Sequence, residues 1–197
     1  MVKSAISQII VPDLPNDPTL YKEFLIRENL FETTNYSNLD VDRTKKYRAE
    51  IDRKELELSS FNIDEFLKSL KMVAECNEAN QQALPRVSQL SQRTNQFNAR
   101  TIRYDEKQVI DISKSKNFLI YTYKLKDKFG SHGLVGLVIL DIIDDATLFI
   151  DTFCMSCRVF NRGFEYFIID HIKSIMTIKN YKNLAVEWIP TEKNSLI

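Results

Sequence analysis

The chain has 197 residues, 44% of them hydrophobic and 27% charged, an ordinary globular composition with enough apolar mass for one core of moderate size. Its 27 basic residues balance its 27 acidic ones, so no global charge excess points to nucleic acid or an anionic membrane as partner. No run approaches the roughly 18 apolar residues of a membrane span, and an odd count of three cysteines behind an N-terminus without a signal core predicts a cytoplasmic protein.

In chain order, a short strand is expected over Gln8–Val11, stopped by Pro12 and Pro15. Asp17 then reads as an N-cap with Pro18 at the first helical position, where its missing N–H is harmless. A charged helix follows from Ser37 or Asp40 to about Leu58, with mixed signs and few apolar residues, the pattern of a solvated bridging helix. Asn62 or Asp64 starts a short amphipathic helix carrying Phe66, Leu67 and Leu70, and a brief strand is expected near Met72–Cys76. Pro85 opens a helix through Gln96, and Asp105 caps a shorter one.

From residue 117 the pattern turns to strands. Residues 118–125 are β-rich, 134–143 form a continuous apolar run suited to a strand buried on both faces, and 147–157 form a third strand. A glycine-containing hairpin joins the first two. After Asn161-Arg162-Gly163 a long helix runs to about Asn180, with Phe164, Phe167, Ile168, Ile172 and Ile175 at helical spacing. A last strand is expected over 184–190, and Thr191 caps the start of a final helix. The fold class is therefore α/β, with a mixed, mostly antiparallel sheet flanked by helices.

The junction from Asp151 to Gly163 carries the chemistry. A helix start offers unpaired N–H groups and a partial positive charge, which suit a diphosphate. Arg158 and Arg162 add full charges, and Gly163 lets the backbone come close to a ligand. Arg158-Val159-Phe160-Asn161-Arg162-Gly163 resembles the pyrophosphate loop of GNAT acyltransferases, Q/R-x-x-G-x-G/A, and the element order is similar to that fold. Asn161 replaces the first motif glycine, which asparagine's tolerance of left-handed angles allows.

A longer set of blocks is similar to FkbH-like proteins: Gln92-Arg93-Thr94-Asn95-Gln96-Phe97-Asn98, Asp127-Lys128-Phe129-Gly130 with Gly133-Leu134-Val135-Gly136, Met155-Ser156-Cys157-Arg158-Val159, and Pro190-Thr191-Glu192-Lys193-Asn194. In that family a HAD-type phosphatase domain precedes a GNAT-like domain, and the proteins supply glyceryl-type units to carrier proteins in polyketide pathways, with relatives in surface-polysaccharide loci. The Asp-x-Asp-x-Thr nucleophile motif is absent here, so phosphatase chemistry is not expected. The resemblance implies a helical connector over residues 1–60, like the tail of a HAD-type domain, and a GNAT-like domain over 61–197 that lacks its last strands. An open sheet edge would then call for a HAD-type domain or a second subunit to cover it.

The implied function is acyltransferase-like: binding acyl-CoA or the pantetheine arm of an acyl carrier protein for glyceryl or acyl transfer. The alternative is a non-catalytic docking module that serves a HAD-type phosphatase. CoA or phosphopantetheine would lie on Arg158, Val159, Phe160, Asn161, Arg162 and Gly163, with the thioester carbonyl at the splayed end of the 147–157 strand. Cys157, between strand end and loop, reads either as an acyl-accepting thiol favoured by Arg158 and the helix start, or as a core hydrophobe. Asp151 and Glu187, expected on neighbouring strands, are general-base candidates or partners for a Lys or Arg. Asn95, Asn98 and Arg103 either hold substrate or cap a helix end. His171 reads as a buried structural histidine and His132 as an exposed turn histidine. Trp188, Tyr121 and Tyr123 read as sheet residues packed against helices. The cysteines and two distant histidines do not make a zinc site.

Overall fold

A computed structural model of the chain describes residues 11–28 and 38–194. The strand expected over Gln8–Val11 lies outside these residues save for Val11. The chain forms two compact units, Met1–Tyr47 and Arg48–Ile197.

In the first unit, Asp17 accepts from the Thr19 N–H at 2.9 Å and the Thr19 hydroxyl at 2.7 Å. This cap starts a 3₁₀ turn, Pro18–Leu20, that runs into helix α1, Tyr21–Arg27. Helix α2, Asn38–Ser59, begins here and continues into the second unit.

The second unit continues with α3 (Ile63–Leu70), β1 (Val73–Glu78), α4 (Leu84–Arg93), α5 (Glu106–Lys114), β2 (Phe118–Asp127), β3 (Gly130–Ile142), β4 (Thr147–Met155), α6 (Phe164–Lys179) and β5 (Asn183–Val186). Asn62 caps α3 through the Glu65 N–H, and Asp105 with Gln108 forms a reciprocal capping box on α5. The strands lie in the order β1-β2-β3-β4-β5; all neighbours are antiparallel except β4 and β5, which run parallel across α6. The expected α/β fold with a mostly antiparallel sheet is met.

Both sheet faces are covered. Val135, Val138 and Leu140 of β3 pack with Phe164, Ile168, Ile172 and Ile175 of α6, while Leu137 and Ile139 pack with Leu84, Val87 and Leu90 of α4 and Val109 of α5. This is why residues 134–143 read as unbroken apolar sequence rather than as an alternation. Gly136 is where α6 crosses the sheet: a Cβ there would stand 3.1 Å from both Ile168 and Tyr123. Each large apolar side chain on the α6 face contributes roughly 1.5–3 kcal/mol by leaving water.

Two strand ends differ from expectation. β4 stops at Met155, because Cys157–Val159 turns into a 3₁₀ segment. β5 stops at Val186 rather than 190, because the chain leaves β4 and the Ile189 N–H goes to the Ala99 carbonyl at 2.9 Å. Trp188 consequently stands past the strand end, 52% exposed, not packed under a helix, whereas Tyr121 and Tyr123 are buried as expected. Thr191 accepts from the Lys193 and Asn194 amides as an N-cap would, but residues 192–193 form a turn rather than the first residues of the expected helix, and 195–197 lie outside the described ones.

Candidate functional site

The free edge of β4 beyond Ile150 is not open. Ala99 N–H donates to the Phe153 carbonyl and Met155 N–H to the Phe97 carbonyl at 3.0 Å, with Asn98 bridged to Cys154. Residues 97–99 thus fill the gap that opens when β5 ends. The splayed strand end expected to hold a thioester carbonyl is occupied by the chain's own backbone, which is a correction to that expectation.

The filling segment is locked at both sides. Asn98 is buried, accepts from the Thr101 N–H at 2.9 Å and donates to the Ile102 carbonyl. It is a turn residue here and lines none of the cavities described below. Asn194, fully buried, donates to the Asn98 carbonyl at 3.1 Å and the Ile189 carbonyl at 2.9 Å. Arg100 joins the two carboxylates singled out as bases, reaching Asp151 Oδ1 at 2.7 Å and Glu187 Oε2 at 2.8 Å, over the Phe149 ring. Asp151 is the extra residue of a β-bulge: Thr152 pairs with Ile139 and Ile150 with Leu140. The bulge re-aims its carboxylate, which also accepts from the Tyr104 hydroxyl at 2.8 Å and the Thr152 hydroxyl at 2.9 Å. Burial, with Asp151 beside it, raises the Tyr104 pKa, so this phenol stays a donor. Both carboxylates are engaged by Arg100, as the partner reading expects.

The 158–163 loop divides its residues between two sides. Val159 is fully buried, and Phe160 tilts against Phe97 with ring centroids 6.0 Å apart. Asn161 and Gly163 take left-handed angles, φ 57° and 69°, and Gly163 starts α6 without a side-chain cap. Arg162 does not face the same way as Arg158. It turns inward to Asp127 Oδ2 at 3.4 Å, joining a buried cluster in which Arg53 makes a two-pronged pair with Asp127 at 2.7 and 2.9 Å. His132 Nε2 lies 2.9 Å from the same carboxylate, so His132 is buried rather than an exposed turn residue. Burial would raise the Asp127 pKa, but hydrogen bonds from Arg53 and His132 outweigh it and hold the carboxyl down at about 2. Burial, reinforced by Arg53 and Arg162, lowers the His132 pKa; the neutral ring donates from Nε2 to Asp127. Arg162 is therefore a brace that fixes the loop to the β2–β3 hairpin.

Arg158 faces a cavity of about 730 Å³ between α4 and the β4–α6 corner. Arg86 and Arg93 of α4 line it with Arg158, together with Cys157, Asn95 and Lys193. Arg86 and Arg93 are seven residues apart, two helical turns, and so share a face. Among the described residues, none of the three arginines has a carboxylate in ion-pair reach; Arg158 reaches the Ser156 hydroxyl and Arg86 the Gln89 amide. Burial, and after it the charges of Arg158 and Arg93, lower the Arg86 pKa. Cys157 is exposed on this wall, Cys154 is buried on the sheet face under α4, and Cys76 is half-buried against His171. His171, half-buried rather than buried as expected, is also 2.9 Å from the Tyr123 hydroxyl. Sequence reasoning missed Arg86 and Arg93, although their two-turn spacing with Gln89 between them was a usable signal.

Asn95 and Arg103 bond to each other and line a second cavity of about 360 Å³ with Thr101, Thr191, Glu192 and Lys193. Among the described residues no group of three or more His, Cys, Asp or Glu could hold a metal ion, and no helix is long and apolar enough to cross a membrane.

No protein-family model and no curated protein sequence matches the chain. Solved structures do. The ribosomal-protein-S18-alanine N-acetyltransferase from Escherichia coli matches at 12% identity and TM-score 0.45, over 58% of this chain and 66% of that one. A GNAT family acetyltransferase from Elizabethkingia anophelis with acetyl-CoA bound matches at 13% identity and TM-score 0.42, over 57% and 63%. The ribosomal-protein-alanine N-acetyltransferase from Brucella melitensis biovar Abortus 2308 matches at 12% identity and TM-score 0.46, over 61% and 83%. The match thus spans less than two thirds of the first two of these proteins.

Proposed function

We propose that the larger cavity binds the phosphate-bearing pantetheine end of an acyl donor, acyl-CoA or an acyl carrier protein, and that the chain is an acyltransferase-like module. The observation that carries this is the ring of Arg86, Arg93 and Arg158 around a cavity whose wall exposes Cys157. Three guanidiniums, none ion-paired among the described residues although Glu192 also lines the cavity, favour a multiply charged phosphate, which Arg binds through paired N–H groups. The blocks similar to FkbH-like proteins support a role in glyceryl or acyl transfer for polyketide or surface-polysaccharide biosynthesis. Residues Met155 to Arg158 of those blocks lie on the cavity wall.

Cys157 is the residue assigned to chemistry. Its sulfur would attack the donor thioester: the new carbon–sulfur bond forms on Cys157, the donor's carbon–sulfur bond breaks, and the Cys157 proton ends on the departing thiol. The arm would enter beside α4, since 97–99 already pair with β4.

A second reading, a non-catalytic module that docks a carrier protein for a HAD-type phosphatase, draws on the engagement of Asp151 and Glu187 by Arg100. Calorimetric titration with CoA, and with phosphopantetheinylated carrier protein, tests binding. Arg158→Ala should weaken it about tenfold, the worth of one charge-assisted hydrogen bond. Unchanged affinity in this variant would show the cavity assignment to be wrong. A labelled acyl group retained on Cys157 after single turnover separates transfer from docking.

A further inference from the structure

The smaller cavity shares a wall with the larger one. Asn95, Glu192 and Lys193 line both, so two ligands would meet across these three side chains. Its remaining lining, Thr101, Arg103 and Thr191, is wholly polar. Cations exceed acids there: Arg103 and Lys193 stand against Glu192 alone, and the field of the three arginines next door has the same sign. Thr101 holds a left-handed φ of 57°, unusual for a β-branched residue, and the Asn98 side chain fixes it there through its N–H. That bend returns the chain so that Arg103 reaches Asn95 on the shared wall. Both flanking segments are anchored by the buried Asn98–Asn194 contact, so the walls are set before any ligand arrives.

We propose that this smaller cavity seats the second substrate, and that this substrate is a small molecule carrying a carboxylate or phosphate, held by Arg103 and Lys193. Thr101 and Thr191 present hydroxyls to its neutral polar groups. Glu192, the one acid on the shared wall, disfavours a second anion at the boundary and keeps the anionic end of the acceptor beside Arg103. The proposal rests on the larger cavity holding the acyl donor.

The test is a titration of the ¹⁵N-labelled full chain with succinate, with and without CoA, followed by amide shifts. Succinate should move the Thr101, Arg103 and Lys193 amides whether or not CoA is present. Arg103→Gln should raise its Kd about tenfold, with partial recovery in Arg103→Lys, whereas Arg158→Ala should change it by less than about twofold. Arg103 is exposed and, among the described residues, bonds only to Asn95, so these variants keep the fold, as a melting curve verifies. Shifts confined to the Arg86, Arg93 and Arg158 amides, or an Arg103→Gln isotherm equal to the parent's, overturn the proposal. CoA binding without any succinate effect at Thr101 sinks this proposal alone. Succinate binding at Thr101 without CoA binding sinks the donor reading, and with it the second-substrate role.

Discussion

Asp127→Asn is the sharpest single perturbation of the frame behind the cavity. The Asp127 side chain is fully buried and takes both prongs of Arg53, itself 7% exposed, while Arg162 and His132 crowd the same oxygen. Removing the charge leaves two buried guanidiniums, with Glu50, 60% exposed, the one other carboxylate ion-paired to either among the described residues, and to Arg53 alone. Breaking one side of a buried pair costs about 3–5 kcal/mol. For a unit of this size that is a fall in Tm of roughly 6–20 °C. Urea denaturation and thermal melts at pH 7 measure it. The sign with pH follows from the depressed pKa: the carboxyl's contribution is complete above its ordinary value of 3.8 and is lost as pH falls toward about 2. The parent should therefore lose stability across that interval more steeply than the variant. The double variant Arg53→Met/Asp127→Asn should cost less than the sum of the singles. A loss under about 1 kcal/mol for Asp127→Asn, or equal acid slopes in both proteins, would refute the assignment of this cluster as a brace.

Gly136→Ala puts a Cβ within 3.1 Å of Tyr123 Cβ and Ile168 Cδ1, and it should lose about 1–3 kcal/mol in a denaturant melt. Iodoacetamide at mildly alkaline pH should modify Cys157 first, read by mass spectrometry. Burial pushes the Cys154 thiol up to about 12, and it pushes Cys76 up to about 11 against a smaller opposing effect of Tyr123. Equal labelling of all three in the folded chain would contradict the placement of Cys157 on the cavity wall.

Much of the scaffold was legible because its signals are local. Asp17, Asn62 and Asp105 each announce a helix start within three residues, and the unbroken apolar run over β3 announces a strand covered on both faces. The site was legible only in part. Arg158 and Cys157, adjacent in sequence, do line one cavity, but Arg162, expected beside Arg158 by the same adjacency, faces away, because its partner Asp127 is 35 positions distant. Phe97, Asn98 and Ala99 carry no strand period, yet they occupy the β4 edge; what fixes them there is Asn194, 96 positions on, and Arg100 between two carboxylates. No local window holds that information. His132 was misjudged for a related reason: a glycine hairpin reads as exposed until a helix from earlier in the chain, bearing Arg53, covers it.

The Asn98–Asn194 contact joins the side chain of one residue to the backbone of another 96 positions away within the second unit. A closure of that length loses the most chain freedom, so it forms late in folding and is among the earliest contacts to open. The amides of Ala99 and Ile189 should then exchange with solvent well before those of β3, through a partial opening that leaves the sheet standing. During synthesis the basic chamber would gain its second wall only after nearly the whole unit has left the ribosome, which delays any anion capture until the fold around it is complete.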